Sequence, residues 1–139
     1  MQIAYNLPHV FRPGALPEEN ARVLRIMLDC LISIDEAYLQ NHAAVDLYHS
    51  GVVYGRTRIW EPIPALYERG YGDCKSLSAA LIAEYRKKGI ACQPVFRWVK
   101  TKDPYRAGET DYHILVQTAK GFEDPSKVLG MGRNENARY

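Results

Sequence analysis

Cys74 is the residue whose type and position most strongly indicate chemistry. It follows Gly72 and Asp73, and aspartate is a favoured N-cap, so Cys74 falls in the first turn of a predicted helix. The unpaired N–H groups of a first turn favour negative charge, which predicts a lowered thiol pKa and part of an oxyanion hole. We therefore expect Cys74 to be the nucleophile of an acyl-transfer or amide-cleaving site. Packing as a small apolar residue under the helix is the alternative.

Asp73 works against this chemistry, because a carboxylate beside Cys74 opposes formation of the thiolate. A cationic partner has to outweigh that charge, and this requirement points to a histidine. His113 is the best candidate of the four histidines, because it stands inside the otherwise apolar strand sequence 112–116. We expect His113 to be the catalytic base. The alternative is a buried histidine with one satisfied hydrogen bond.

Asp124 is the best-placed carboxylate to orient the imidazole of His113. It follows a predicted hairpin and precedes a proline, so its alternative role is that of a turn residue. A simple turn at Lys120-Gly121 would set Asp124 opposite Gln117 rather than His113. A bulge, a bend or a different turn is therefore needed to join the two side chains.

The elements that must hold these side chains can be read from the spacing of apolar residues. Spacing by three and four predicts one long amphipathic helix from Pro17 to about His42, in which Cys30 is expected to be a small buried residue. The Cys74 helix is expected to end at Gly89. Segment 46–58 reads as a short extended piece or a loop. Strands are predicted over 90–100, 110–118 and 122–124.

The composition predicts one globular domain spanning residues 1–139, with a mobile polar tail over 130–139. A chain of 139 residues, 47% of them hydrophobic, is long enough to bury roughly two thirds of its unfolded surface. The net charge is only +2 and the basic clusters are short. We therefore expect no nucleic-acid binding.

The location of the protein is predicted from its N-terminus, its apolar segments and its cysteines. The sequence shows neither a basic leader followed by an apolar run nor about 18 uninterrupted apolar residues, so no membrane interaction is expected. Three widely spaced cysteines fit neither a disulfide framework nor paired zinc ligands. We expect a cytoplasmic protein without a metal or other cofactor.

Several motifs together resemble a known family. They are Gly70-Tyr71-Gly72-Asp73-Cys74, a following helix that ends in Gly89-Ile90, His113 within a strand, and Glu123-Asp124-Pro125-Ser126. This combination resembles the transglutaminase-like members of the papain-like cysteine peptidase superfamily and covers about half of the chain. The resemblance implies an α+β fold with a papain-like core. N-terminal helices would accompany a cysteine helix that packs on a small antiparallel sheet.

The resemblance also implies a catalytic triad. Cys74 would be the nucleophile, His113 the general base and acid, and Asp124 the orienting carboxylate. A thioester formed with a peptide or protein substrate would be hydrolysed by a peptidase, amidase or isopeptidase, and passed to an amine by a protein-glutamine transglutaminase. The small size favours hydrolysis by analogy.

Two further classes remain as alternatives. One is a non-catalytic binding or assembly module, such as a phage or bacterial structural or maturation protein. The other is a metal-binding protein, which is the weaker of the two because Cys74, His113 and Asp124 lack an accompanying ligand pattern.

The second oxyanion donor is less well defined by the sequence. Trp60, Tyr71 and an amide group elsewhere are candidates. The carboxylate of Glu68 is a poor choice because it would repel an oxyanion.

Overall fold

A computed structural model of the protein describes residue 4 and residues 6–8, 10–12 and 14–132. The α-helices within these residues are α1 (Pro17–Asn41), α2 (Ile63–Arg69), α3 (Cys74–Lys87) and α4 (Pro125–Val128). The strands are β1 (Val53–Tyr54), β2 (Tyr71–Gly72), β3 (Cys92–Lys100), β4 (Thr110–Thr118) and β5 (Gly121–Glu123). Short 3-10 helices lie at Leu47–His49 and Pro104–Arg106. The predicted α+β class is confirmed, with a small antiparallel sheet in the order β3-β4-β5.

Helix α1 confirms the long amphipathic helix predicted from Pro17. Its buried side chains lie on one face, and this helix packs on α3; they include Leu28, Leu31, Ile32, Asp35 and Leu39. Cys30 lies about 200° around the helix from Leu28, and it is exposed. The expected burial of Cys30 is therefore wrong. Apolar residues such as Ile26 and Ile34 also occupy the exposed side, so an apolar neighbourhood in sequence did not identify the buried face.

Helix α3 is the central element, because it contacts α1, β3 and β4. Asp73 caps the helix by accepting a hydrogen bond from the N–H of Lys75 at 3.3 Å. The chain turns away after the helix at Gly89, where a φ of +76° favours glycine. Both ends agree with the prediction. The side chains from Ser76 to Glu84 are buried, which fixes the first turn of α3 within the fold.

The hairpin between β4 and β5 turns one residue earlier than predicted. Thr118 pairs with Gly121, so the two turn residues are Ala119 and Lys120. Gly121 has a φ of +119° and serves as the first residue of β5 instead of the second turn residue. The prediction correctly identified a glycine-dependent turn but misplaced the glycine within it.

The earlier turn moves Asp124 toward His113. Extending the observed register beyond Glu123 places Asp124 level with Leu115, not with Gln117. Leu115 and His113 lie on the same face of β4, because side chains alternate along a strand. The different turn thus brings Asp124 two residues closer to His113 along β4. Strand β5 ends at Glu123, so Asp124 follows the strand instead of lying within it.

A second, parallel pair of strands lies beside the start of α3. Strand β1 pairs with β2 so that Tyr54 is opposite Gly72. The N–H of Tyr54 also donates to the C=O of Leu129 at 2.9 Å, which holds β1 from its other side. A Cβ at position 72 would lie 2.6 Å from Cδ1 of the buried Leu66, so the close approach requires glycine. This pairing places Tyr54 near Cys74.

The first residues of the predicted tail over 130–139 are hydrogen bonded to α4. Gly130 is buried, and its N–H donates to the C=O of Lys127 at 3.2 Å. The N–H of Met131 donates to the C=O of Ser126 at 2.8 Å. Residues 133–139 lie outside the described residues.

Within the described ranges, no helix is both long enough and apolar enough to cross a bilayer.

Candidate active site

The sulfur of Cys74 lies at a part of β4 that β5 does not cover. Strand β5 pairs only with residues 116–118, so the preceding part of this edge is left to α3. Oγ of Ser78 donates to the C=O of Ile114 at 3.3 Å, and the N–H of Ile114 hydrogen bonds to the sulfur of Cys74. The open edge of the sheet therefore holds the first two turns of α3, and with them the thiol.

His113 and Asp124 are joined by a hydrogen bond, as the sequence led us to expect. Nε2 of His113 lies 2.8 Å from Oδ2 of Asp124, and both side chains are largely buried. A carboxylate can only accept, so Nε2 carries the proton and donates it. The other ring nitrogen, Nδ1, has no hydrogen-bond partner among the described residues. This tautomer leaves Nδ1 as the atom that can accept a proton.

Asp124 is held from two directions. As the N-cap of α4, its Oδ1 accepts from the N–H of Lys127 at 3.2 Å, while Oδ2 contacts the imidazole. The neighbouring Glu123 accepts hydrogen bonds from the hydroxyls of Tyr48 at 2.6 Å and Tyr85 at 2.8 Å. These bonds attach the end of β5 to α3 and to the 3-10 helix at 47–49. The position of the orienting carboxylate is therefore set by structure on both sides of it.

Lys75 is a cation that offsets the charge of Asp73, a role for which the sequence predicted only a histidine. Its ammonium group forms an ion pair with Asp73, and it also donates to the C=O of Thr57 at 2.6 Å. Burial raises the pKa of Asp73, and Lys75 acts in the opposite direction. The carboxylate beside the thiol is thus partly neutralised by a residue of the same helical turn. The sequence contained this signal as an Asp-x-Lys spacing.

The predicted lowering of the Cys74 pKa is wrong for the free protein. Burial raises the pKa of this thiol to about 12, and the charge of Asp73 acts in the same direction. The N–H of Ile114 and the ammonium of Lys75 lower it by less. The expectation gave weight to the helix start but not to the loss of hydration. Cys74 is therefore a neutral thiol in the resting protein.

Cys74 and His113 line the same cleft, which has a volume of about 720 Å³. Tyr54 lines it from the end of β1, and Arg56 and Arg58 line it from the segment that follows. Met131, Arg106, Asp111 and Tyr112 are also among its lining residues. Within the described part of the chain, no group of three or more His, Cys, Asp or Glu side chains could hold a metal ion.

Tyr54 is the functional candidate that the sequence analysis missed. It lines the cleft with Cys74, whereas Trp60 and Tyr71 do not. Burial raises the pKa of Tyr54, so its hydroxyl keeps the proton that a donor needs. The ring of Trp60 lies 5.8 Å from the ammonium of Lys75 instead. Sequence spacing could not find Tyr54, because its position depends on the parallel pairing of β1 with β2.

No protein-family model, curated protein or solved structure matches the chain.

Proposed function

We propose that the protein is a cysteine-dependent hydrolase that cleaves an amide bond of a peptide or protein through a thioester on Cys74. One observation carries the proposal. The 2.8 Å hydrogen bond between His113 and Asp124 orients an imidazole that lines the same cleft as the Cys74 thiol. A nucleophile, a base and a group that orients the base are the parts that thiol catalysis requires.

In the proposed first half-reaction, the sulfur of Cys74 attacks the carbonyl carbon while Nδ1 of His113 accepts the thiol proton. The new S–C bond produces a tetrahedral oxyanion. As this intermediate collapses, the C–N bond breaks and the imidazolium gives its proton to the leaving amine. A thioester remains on Cys74, and the imidazole is neutral again.

In the second half-reaction, water attacks the thioester and His113 accepts a proton from it. Collapse of the second tetrahedral intermediate breaks the C–S bond. The sulfur recovers its proton from the imidazolium, and the product leaves as a carboxylic acid. Asp124 stays ionised throughout and stabilises the imidazolium at Nε2.

Two donors are available for the oxyanion in this mechanism. The backbone N–H of Cys74 belongs to the first turn of α3, where N–H groups have no partner within the helix. The hydroxyl of Tyr54 is the second donor, because it lines the cleft and is protonated at neutral pH. Tyr54 thus takes the role for which the sequence suggested Trp60 or Tyr71.

The same proposal includes a papain-like core of the transglutaminase-like kind. The support is the order of the parts along the chain. A cysteine begins a central helix, a histidine follows on an antiparallel strand, and an aspartate follows the hairpin. This order is the one that the motif resemblance implies.

The proposed hydrolysis is tested with a library of peptides of defined sequence that contain glutamine. The intact protein and its Cys74→Ala variant are incubated with the library, and mass spectrometry records cleaved and deamidated products. A labelled primary amine is present in a parallel reaction. We expect products that require Cys74, with water exceeding amine as the acceptor. Identical product sets for the two proteins would refute the proposed Cys74-dependent activity. Predominant amine incorporation would identify a transglutaminase instead of a hydrolase.

A further inference from the structure

Two arginines on one side of the cleft have no carboxylate partner. Arg56 and Arg58 are exposed and line the cleft, and neither belongs to an ion pair among the described residues. Arg56 hydrogen bonds to the side chain of Tyr54, which places its guanidinium beside the proposed oxyanion donor. Two permanent positive charges thus belong to the cleft that Cys74 lines.

The carboxylates that line the cleft are already paired with other cations. Asp73 forms an ion pair with Lys75. Asp111 lies 2.6 Å from the guanidinium of Arg106. Consequently, no side chain of the described cleft neutralises Arg56 and Arg58, and the charge of these arginines is free to attract an anion.

The segment that carries the two arginines is attached to the catalytic helix. The C=O of Thr57, between them, accepts from the ammonium of Lys75 at 2.6 Å, and its Oγ1 accepts from the N–H of Ile59 at 3.1 Å. The N–H of Gly55 donates to the C=O of Gly72 at 2.9 Å. Thr57 is half-buried while both arginines are exposed. The backbone that carries the two arginines is therefore held beside the start of α3.

We propose that Arg56 and Arg58 bind the carboxylate of an acidic residue that lies next to the amide attacked by Cys74. The substrate class is then an acidic peptide or an acidic segment of a protein. Guanidinium groups bind carboxylates through paired, charge-assisted hydrogen bonds, and arginine carries its charge at any physiological pH. This inference rests on the proposed function and names the substrate of that same site.

A carboxylate fits this site better than the backbone of a nucleic acid. Binding to nucleic acid neutralises many phosphates along an extended basic surface. Here the unpaired positive charge of the cleft comes from two residues, and the net charge of the chain is only +2. A pair of arginines within a bounded cleft matches one or two acidic side chains.

The test compares alkylation of Cys74 by iodoacetate, which carries a carboxylate, with alkylation by the neutral iodoacetamide. The ratio of the two rate constants measures how strongly the cleft favours an anion and does not require turnover. In the variant with both Arg56→Gln and Arg58→Gln, we expect this ratio to fall by about three- to tenfold. Arg22→Gln, an exposed arginine of α1 outside the cleft, is the matched control and should leave the ratio unchanged.

A ratio that is the same in the intact protein and the double variant overturns the acidic-substrate proposal. If Cys74 resists both reagents, fluorescence polarisation of labelled Glu-Glu-Gln-Gly and Gln-Gln-Gln-Gly peptides decides instead. Tighter binding of the acidic peptide, lost in the double variant, supports the proposal, and equal binding overturns it. Protection of Cys74 by an oligonucleotide but not by the acidic peptide would also overturn it.

The proposed function fails in a different measurement. If His113→Ala leaves alkylation of Cys74 by iodoacetamide unchanged, the nucleophile–base pair is refuted whatever the value of the iodoacetate ratio. A normal effect of His113→Ala combined with an unchanged ratio in the double arginine variant refutes only the substrate class.

Discussion

At the scale of single residues, the reactivity of Cys74 depends on a transfer of its proton, because the free protein holds the thiol in its neutral form. Burial and Asp73 raise the thiol pKa, and the N–H of Ile114 and the ammonium of Lys75 do not compensate fully. A cysteine that is already ionised in the free protein would not need a base, whereas a neutral thiol does. His113, with Nε2 occupied by Asp124, has the free Nδ1 for this task.

Tyr54 gives a prediction at this scale. Tyr54→Phe removes one hydroxyl and keeps the ring, so we expect kcat/KM for the peptide identified in the library to fall by about 100-fold or more, since one oxyanion donor is lost. Alkylation of Cys74 by iodoacetamide should change little, because that reaction forms no oxyanion. Steady-state kinetics and mass spectrometry measure the two effects.

Trp60→Phe is the matched control for Tyr54, because Trp60 lies outside the residues that line the cleft. A similar loss of kcat/KM in both variants would contradict the assignment of the donor to Tyr54.

At the scale of elements, the site is formed where α3, the open edge of β4 and the end of β5 meet. Strand β5 is short, which leaves Ile114 available to α3. The same short strand releases the chain at Asp124, level with Leu115 and close to His113. A longer β5 would cover the edge of β4 that now contacts Cys74.

Glu123 gives a prediction at this scale, because it anchors the end of β5 through two tyrosine hydroxyls. Glu123→Gln removes the charge that strengthens both bonds and should lower the free energy of unfolding by about 1–3 kcal/mol. We also expect severalfold slower alkylation of Cys74, since Asp124 is the next residue and orients His113. Urea unfolding and labelling rates provide the two measurements.

Glu18→Gln is the control for this effect, since Glu18 is exposed at the start of α1. A loss of stability without any change in Cys74 reactivity would assign Glu123 a structural role alone.

The sequence predicted the elements better than their pairings. Apolar spacing and capping residues are local, so α3 was predicted from Asp73 to Gly89 and β4 over its observed length. The pairing of β1 with β2 joins distant segments, and no local pattern sets its register; this is why Tyr54 was missed. The residues of the proposed triad could be selected from the sequence because each of them carries a local sign. The role of Lys75 depends on side-chain orientation, which the sequence does not give.

At the scale of the whole molecule, the change of stability with pH depends on a carboxyl group that is buried between α1 and α2. Asp35 of α1 is completely buried, and its Oδ1 accepts from the N–H of Ile63 at the start of α2 at 2.8 Å. Its Oδ2 has no hydrogen-bond partner among the described residues. Burial raises the pKa of Asp35 to about 7. The folded protein therefore holds a proton that the unfolded chain releases near pH 4.

The pH dependence of stability follows from this difference. Between about pH 4 and pH 7 the folded state binds more protons, so the free energy of unfolding falls as the pH rises. Asp35→Asn keeps the acceptor for Ile63 and cannot ionise, so it should remove up to about 4 kcal/mol of this decline. Urea unfolding at several pH values measures the difference between the two proteins.

Glu84, whose pKa burial also raises to about 7, remains in both proteins and contributes the slope that persists in the variant. Parallel pH profiles for the intact protein and Asp35→Asn would contradict a neutral Asp35 in the folded state.

The most direct test of the central claim is the pH profile of Cys74 alkylation by iodoacetamide in the intact protein and in His113→Ala, followed by mass spectrometry. With His113 as base, the rate constant should level off near neutral pH. In His113→Ala it should rise about tenfold per pH unit, as the thiolate fraction does, and should be at least about tenfold lower near pH 7.5. Exposed Cys30 is the internal control and should react equally in both proteins. Superimposable Cys74 profiles would contradict the claim that His113 activates this thiol.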